Sequence, residues 1–339
     1  MKQKLCIISN ESISKQKSGF YCDNVDLKSI PEELNKFYEL DLIARESKIE
    51  RSKKIEINNI FVHYSFFSYL LNIFKSFKRK YNTYFIISLT PITFLSALIL
   101  ILYKKKFYLY LRSDGFEEYR KKIGIIGHLI YKIMFWLVCP KAKLITCNKK
   151  LLKGMSGDLV RPSQLTKKWK VSITKANLEK INLLYIGRIK VEKGIFSLIK
   201  MLEKSKLNFS LSILSNEPYV KIKLNQEFIN IIKKSNHDSL INIYDNHNIF
   251  ILPSYTEAYS QVIDESLSRG RPAIIFNDIA DIIFSYRKGV FACDRDLAAL
   301  ENTIEYIIKN YSEISKEISK NHLPQKDNFI NDLRKILEN

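Results

Sequence analysis

Two runs in the second half of this chain combine the residue types that hold phosphates and sugar hydroxyls. In LLYIGRIKVEKG, an apolar stretch Leu183–Ile186 ends at Gly187-Arg188, and Lys193-Gly194 follow. A strand-end glycine lets backbone approach a ligand. Arginine offers a planar fork of donors to phosphate oxygens, and lysine adds a point charge. A helix opening after Gly194 would add free N–H groups and the positive end of its dipole. Together these describe a diphosphate site. Taken alone, Arg188 and Lys193 could as well be solvated cations of a Lys-rich chain. In IFILPSYTEAYSQVIDESLSRGRP, strand Ile249–Leu252 ends at Pro253 and Glu257 sits in the loop after it. Glu265 lies on a helix that begins near Ser260, buries Val262, Ile263 and Leu267, and stops at Gly270 before Pro272. A carboxylate only accepts hydrogen bonds and each sugar hydroxyl donates one, so Glu257 and Glu265 suit a sugar. Asp264 reads as the solvated face of that helix. No Asp-x-Asp pair accompanies the site, so a catalytic metal is not expected.

These residues need strands ending beside them. The first half reads as strands Lys4–Ser9, Phe37–Ala44, Ile60–Tyr64, Tyr84–Ser88, Phe107–Arg112 and Lys143–Cys147. Between them lie helical stretches Pro31–Lys36, Phe66–Phe77, Phe94–Tyr103 and Phe116–Cys139. After a polar, Lys-rich segment at Lys167–Lys180 the pattern restarts. Strands are expected at Asn182–Ile186, Ser210–Leu214, Phe228–Ile232, Ile249–Leu252 and Ala273–Phe276, and helices at Ile195–Glu203, Ser260–Arg269 and Leu297–Tyr311. Such alternation predicts an α/β protein with parallel sheets covered on both faces and ligands beyond the carboxyl ends of the strands. The expected division is residues 1–166, 167–323 and a final helical segment 324–339 after the break at Pro324.

Hydrophobic residues make up 46% and charged residues 27% of the 339-residue chain, a globular balance. Twenty residues from Tyr84 to Tyr103 carry no charge and precede Lys104, Lys105 and Lys106. A transmembrane helix would have this length, but Ser88, Thr90 and Pro91 favour a buried strand followed by a buried helix. Five widely spaced cysteines without a C-x-x-C pair suit a reducing cytoplasm, not a disulfide framework or a zinc site. The start has no signal-peptide core.

The net charge of +20 calls for an anionic partner. Residues 101–170 hold 17 Lys and Arg against 4 Asp and Glu, much of it on and around the helix Phe116–Cys139. Arg120, Lys121, Lys122 and Lys132 stand there among Tyr119, Ile125, Ile126, Leu129, Ile130, Phe135 and Trp136, a basic and aromatic pattern suited to an anionic membrane surface. The alternative is that the apolar side packs on the sheet and only the cations meet solvent. Nucleic acid would call for aromatic–basic interleaving on a recognition element, whereas the Tyr/Lys stretches read as strand ends.

Gly187-Arg188, Lys193-Gly194, Pro253-Ser254, Glu257, Glu265, Gly270 and Pro272 together resemble the donor site of the retaining glycosyltransferases of the GT-B fold, the family numbered four. The likeness is specific from Asn182 to about Phe276 and architectural in the first half. It implies two Rossmann-like domains facing across a cleft, with an N-terminal acceptor domain, a C-terminal donor domain and a last helix crossing back. It implies transfer from a nucleotide-diphosphate sugar, a substrate and not a cofactor, to a carbohydrate or lipid-linked saccharide acceptor, as in bacterial surface polysaccharide or lipopolysaccharide synthesis. Arg188 and Lys193 would hold the diphosphate, Glu265 the ribose hydroxyls and Glu257 the transferred sugar, with backbone N–H groups from Ala258-Tyr259-Ser260. The family often has Gly-Phe-Gly at that turn, so the donor sugar is left open. Reaction would be by front-face substitution with retention, and the basic helix Phe116–Cys139, not the resemblance, points to the inner face of the plasma membrane.

In the first half, Arg112, Ser113 and Asp114 stand where the family often has a histidine, and Arg112 could equally be structural. Gly19 alone remains of a frequent double glycine in the loop Asn10–Phe20, and Arg161-Pro162-Ser163 resembles the crossing between domains. His63 could line the site from a strand end. His237 and His247 read as surface or rim positions. Two other readings stay open: a nucleotide-sugar epimerase of the same fold, for which no acid and base pair stands out, and a basic nucleic-acid-binding protein.

Overall fold

The computed structural model describes residues 2–215, 227–232 and 237–338. It divides into two compact units, residues 1–161 with 328–339, and residues 162–327. The first crossing falls a few residues ahead of its expected place and the second a few residues after its own. Ser163 Oγ donates to Pro324 O at 2.7 Å and Lys326 N to Leu165 O at 2.9 Å, which ties this stretch to the second unit.

In the first unit the chain runs β1 (Lys4–Gln16), β2 (Gly19–Cys22), α1 (Val25–Leu34), β3 (Glu39–Glu46), β4 (Lys53–Ile55), β5 (Asn59–His63), α2 (Phe66–Phe77), β6 (Thr83–Ile87), α3 (Pro91–Leu102), β7 (Phe107–Leu111), α4 (Gly115–Val138), β8 (Lys143–Thr146) and β9 (Asp158–Leu159). Seven strands pair in parallel in the order β5-β3-β1-β6-β7-β8-β9. The uncharged segment from Tyr84 is not one membrane-length helix. It breaks at Ser88, where φ is 67°, and α3 starts with Pro91 in its first turn and a reciprocal cap between Thr90 and Thr93.

Three local expectations need correction. The supposed loop after the first strand is mostly strand: β1 shifts register between Ile8 and Ser12, runs on to Gln16 and turns through Gly19 into the antiparallel β2. Ile13, Cys22 and Ile55 join the core there, which is why the extension forms. Helix α1 begins at Val25, not Pro31, because the Asn24 side chain accepts from Asp26 N and Leu27 N. Helix α4 is bent, with non-helical backbone at Ile123 and Gly124; φ 67° and ψ −151° at Gly124 suit a residue without a Cβ.

The second unit runs β10 (Ile181–Ile186), α5 (Ile195–Leu202), β11 (Phe209–Leu214), β12 (Ile229–Ile232), α6 (His237–Asp245), β13 (Ile249–Leu252), α7 (Gln261–Ser268), β14 (Ala273–Phe276), β15 (Val290–Cys293), α8 (Leu297–Lys309) and α9 (Tyr311–Ser319). All six strands are parallel in the order β12-β11-β10-β13-β14-β15. Counted within the unit this is 3-2-1-4-5-6, the doubly wound order, whose direction reverses between β10 and β13. Leu183, Leu184, Ile249, Ile251 and Ile274 are buried at its centre, each contributing about 1.5–3 kcal/mol. The last helix, α10 (Lys326–Glu338), sets Phe329, Ile330, Leu333 and Leu337 into the core of the first unit.

Candidate functional site

The reversal point lies where the carboxyl ends of β10 and β13 leave the sheet, and both singled-out runs begin there. Gly187 N donates to Leu214 O at 3.1 Å, so pairing continues one residue past β10. Tyr185 Oη donates to Arg188 O at 2.7 Å and holds the turn; a Cβ on Gly187 would stand 2.6 Å from that hydroxyl. The Arg188 side chain is exposed and makes no ion pair among the described residues. Residues Val191–Lys193 form a single tight turn, and Gly194, at φ 69°, opens α5 with no side-chain cap. A Cβ on Gly194 would lie 1.8 Å from Pro253 O, so the glycine is what lets the two loops touch.

Other bonds hold the same approach. Tyr255 N donates to Glu192 O at 3.1 Å. Arg295, just beyond β15, donates to Pro253 O at 2.9 Å and Ser254 O at 3.1 Å, pairs with Asp278 at 2.7 Å and lies over the Tyr255 ring. At the junction Lys193 Nζ sits 2.6 Å from Glu257 Oε1, which also accepts from Ser254 Oγ at 2.8 Å. The cation expected at the diphosphate and the carboxylate expected at the sugar are therefore each other's partners, both partly exposed.

Helix α7 differs from its expected form. Ile263, Asp264, Glu265, Ser266, Leu267 and Ser268 are all buried. Asp264 is not a surface group: Arg287 grips it bidentately, Nε to Oδ1 at 2.7 Å and Nη2 to Oδ2 at 2.8 Å. Tyr259 Oη also donates to Asp264 Oδ2 at 2.7 Å. The Arg287 guanidinium lies under Tyr259, whose ring stacks on Phe284. Burial disfavours the charged guanidinium, but the Asp264 carboxylate outweighs it and holds the Arg287 pKa above its ordinary value. Burial, reinforced by Asp264, pushes the Tyr259 phenol far up. Arg287 Nη2 also donates to Ser260 O at 3.0 Å, which braces the turn Ala258-Tyr259-Ser260. Glu265 accepts from the buried Tyr244 hydroxyl at 2.9 Å. His247 bonds Ile243 O through Nδ1, and the side chain of His237 lies outside the described residues.

Two further arginines follow α7. Arg269 donates to the carbonyls of Trp169, Val171 and Ser172 and pairs with Asp245. Arg271 reaches Thr174 O at 2.9 Å. The polar stretch after Thr166 is thus fixed from within the unit.

In the first unit Arg112 pairs with the buried Asp26 at 2.5 Å. Asp114 caps α4 through Oδ1 and pairs with Lys153 through Oδ2 at 3.1 Å. Ser113 is half-buried between them. His63 ends β5, and its buried Nε2 has no partner among the described residues; burial first, then Lys75, lowers its pKa. Gly19, at φ 133°, is the first residue of β2 after the turn. Among the described residues no three His, Cys, Asp or Glu converge as metal ligands, and all five cysteines are buried and outside any disulfide.

Reading from sequence missed Arg287, Arg295 and Tyr244. Arg295 follows the carboxyl end of β15, a four-residue strand too short to stand out in the sequence. Arg287 offered only the aromatic run Phe284-Ser285-Tyr286 before it.

Residues 167–323 match the family of glycosyl transferases group 1. The glycogen synthase of Mycobacterium tuberculosis is 20% identical over 206 residues, which cover 55% of this chain and 50% of that protein. The chain thus spans about half the length of the curated relatives it matches. Sucrose-phosphate synthase from Thermosynechococcus elongatus superposes with a TM-score of 0.67 at 14% identity, covering 99% of this chain and 95% of that one. Anabaena HepE, solved with UDP and glucose, gives 0.71 at 9%, covering 98% and 99%. At these identities the likeness is one of fold, and UDP-N-acetylglucosamine 2-epimerase structures share it.

Proposed function

We propose, on the premise that residues 167–323 are a domain of the glycosyl transferases group 1 in a chain of the GT-B fold, that this protein moves a sugar from a nucleotide diphosphate to an acceptor hydroxyl with retention. The observation that carries the reading is the Lys193–Glu257–Ser254 contact at the reversal point, beside the uncapped start of α5 and the exposed Arg188. An arriving diphosphate competes with Glu257 for Lys193. Once Lys193 and Arg188 turn to phosphate oxygens, Glu257 is released to accept from sugar hydroxyls. The reading gives Glu265, fixed by Tyr244, the ribose hydroxyls and the braced turn Ala258-Tyr259-Ser260 N–H contacts near the sugar. As the anomeric bond breaks, charge grows on the departing diphosphate. Arg188, Lys193 and the helix start stabilise it with little reorganisation, and the leaving oxygen takes the acceptor proton on the same face. No metal is needed for this balance.

The acceptor under this reading is a carbohydrate or lipid-linked saccharide of a bacterial surface polysaccharide, met at the inner face of the plasma membrane by residues of the first unit, Arg112, Ser113, Asp114, His63 and Gly19 among the candidates. The test is incubation with a panel of nucleotide sugars, with and without acceptor sugars, followed by NMR. Nucleoside diphosphate release with an unchanged anomeric configuration in the product is expected. Conversion of the sugar to its epimer would overturn transfer in favour of the epimerase.

A further inference from the structure

Beyond its bend, helix α4 is apolar on two opposite sides. One side, Gly127, Tyr131, Met134, Phe135 and Val138, is buried in the unit. The other, Ile125, Ile126, Leu129, Ile133, Trp136 and Leu137, is exposed, with Ile125 at 81% and Ile126 at 66%. These positions recur at helical spacing and form one face. Lys132 is the only Lys, Arg, Asp or Glu between Gly124 and Val138. Just before the bend stand Arg120, Lys121 and Lys122, with Glu117 and Glu118 a turn earlier at 3.9 Å from Arg120 and Lys122, and beyond the end of α4 stand Lys141 and Lys143. Helix α3 packs beside it and ends in exposed Leu102 and Tyr103, followed by Lys104.

We infer that this face seats unit 1 in the headgroup layer of an anionic bilayer, with α4 lying in the plane of the membrane. This deepens the functional reading above by naming the surface on which a lipid-linked acceptor would be met. The occupant follows from the charge pattern. An apolar strip bounded at both ends by lysine and arginine matches acyl chains below anionic headgroups. A second copy of the same face would bring the two sets of cations together. Trp136 at the strip's edge has the amphipathic ring that membrane interfaces favour, and Lys132 can carry its charge outward on its alkyl stem. The segment Gly115–Lys141 is long and apolar enough to cross a membrane. Crossing would, however, strip Tyr131, Phe135 and Val138 from the core, and the straight part after Gly124 spans only about 22 Å against a hydrocarbon core of about 30 Å.

The test uses the whole protein with phosphatidylcholine vesicles containing increasing phosphatidylglycerol, at low and high salt. Trp136 and Trp169 are its two tryptophans, and Trp169 is buried. Binding should rise with phosphatidylglycerol, fall with salt and shift emission to the blue; Trp136→Phe should remove that shift. Each cation at such a surface is worth roughly fivefold in partitioning. Replacing Arg120, Lys132 and Lys141 by Gln should therefore weaken binding on the order of a hundredfold, and Ile126→Asp with Leu129→Asp should abolish it. Nucleoside diphosphate binding and melting temperature should stay unchanged in both variants. No vesicle binding by the unaltered protein, binding indifferent to lipid charge, or a dimer dispersed by the Asp variant would overturn the inference. Lost nucleotide binding with intact vesicle binding would instead fault the donor-site reading.

Discussion

Replacing Glu257 by Gln should slow turnover and leave binding of a bare nucleoside diphosphate the same or tighter. The reason is the resting arrangement of the site. Glu257 Oε1 holds Lys193 Nζ at 2.6 Å and Ser254 Oγ at 2.8 Å. A phosphate must take Lys193 from that carboxylate, so part of each new charged hydrogen bond only replaces an old one. A charge-assisted bond contributes about 1.5–3 kcal/mol, but the two side chains are 20% and 13% exposed, so solvent screens the pair and the lower end applies. A glutamine keeps the shape and one acceptor but gives up the charge. Affinity for UDP or GDP should then rise by about 1 kcal/mol, roughly fivefold. The same change removes the acceptor proposed for the transferred sugar, so kcat should fall by at least about tenfold. Calorimetry with bare nucleotides, set against initial rates with the nucleotide sugar, separates the two effects. Weaker nucleotide binding in Glu257→Gln, matching that of Lys193→Ala, would refute the competition.

Arg188→Ala and Lys193→Ala should each weaken nucleoside diphosphate binding about tenfold or more, read by calorimetry. Glu265→Gln should weaken bare nucleotide and nucleotide sugar alike, in contrast to Glu257→Gln, on the same titrations. Asp264→Asn leaves Arg287 buried without its counter-charge; the cost is about 3–5 kcal/mol, and a scanning melt of the purified variant should fall by roughly 10 °C. Turnover should survive EDTA, and a complete loss restored by Mn²⁺ would contradict a site whose charge is met by side chains and helix starts.

Much of the second unit's architecture was legible because its strands are short apolar runs followed at once by glycine, proline or charge. Leu183–Ile186 and Ile249–Leu252 end at the reversal point of the sheet, and their parallel pairing puts the two following loops side by side. What was not legible depends on partners far along the chain. Asp264 looked solvated because nothing within a helical turn of it is cationic, while Arg287 is 23 residues away. The extension of β1 was missed because only Ile13 of that stretch reaches the core, supported by partners at Cys22 and Ile55. The straight part of α4 beyond its bend carries two apolar sides, whereas a single-period reading looks for one.

The turn Ala258-Tyr259-Ser260 shows how a departure from a family's usual residues can be compatible with the same site. Glycines at such a turn supply either positive φ or room for a ligand against bare backbone. Positive φ is not required here, since no residue from Ala258 to Ser260 adopts it. Room is the other need, and here the one large side chain of the turn is held down against Asp264 and Phe284. Tyr259 is anchored through its hydroxyl to Asp264 and Tyr286 and through its ring to Phe284 and Arg287. Arg287 then holds Ser260 O, so the cation that binds the ring also fixes the backbone. The brace does the work of rigidity that glycine cannot do, and it ties the turn to Asp264, the residue directly before Glu265. A change at Arg287 would therefore disturb the turn and the start of α7 together, although its own side chain is buried.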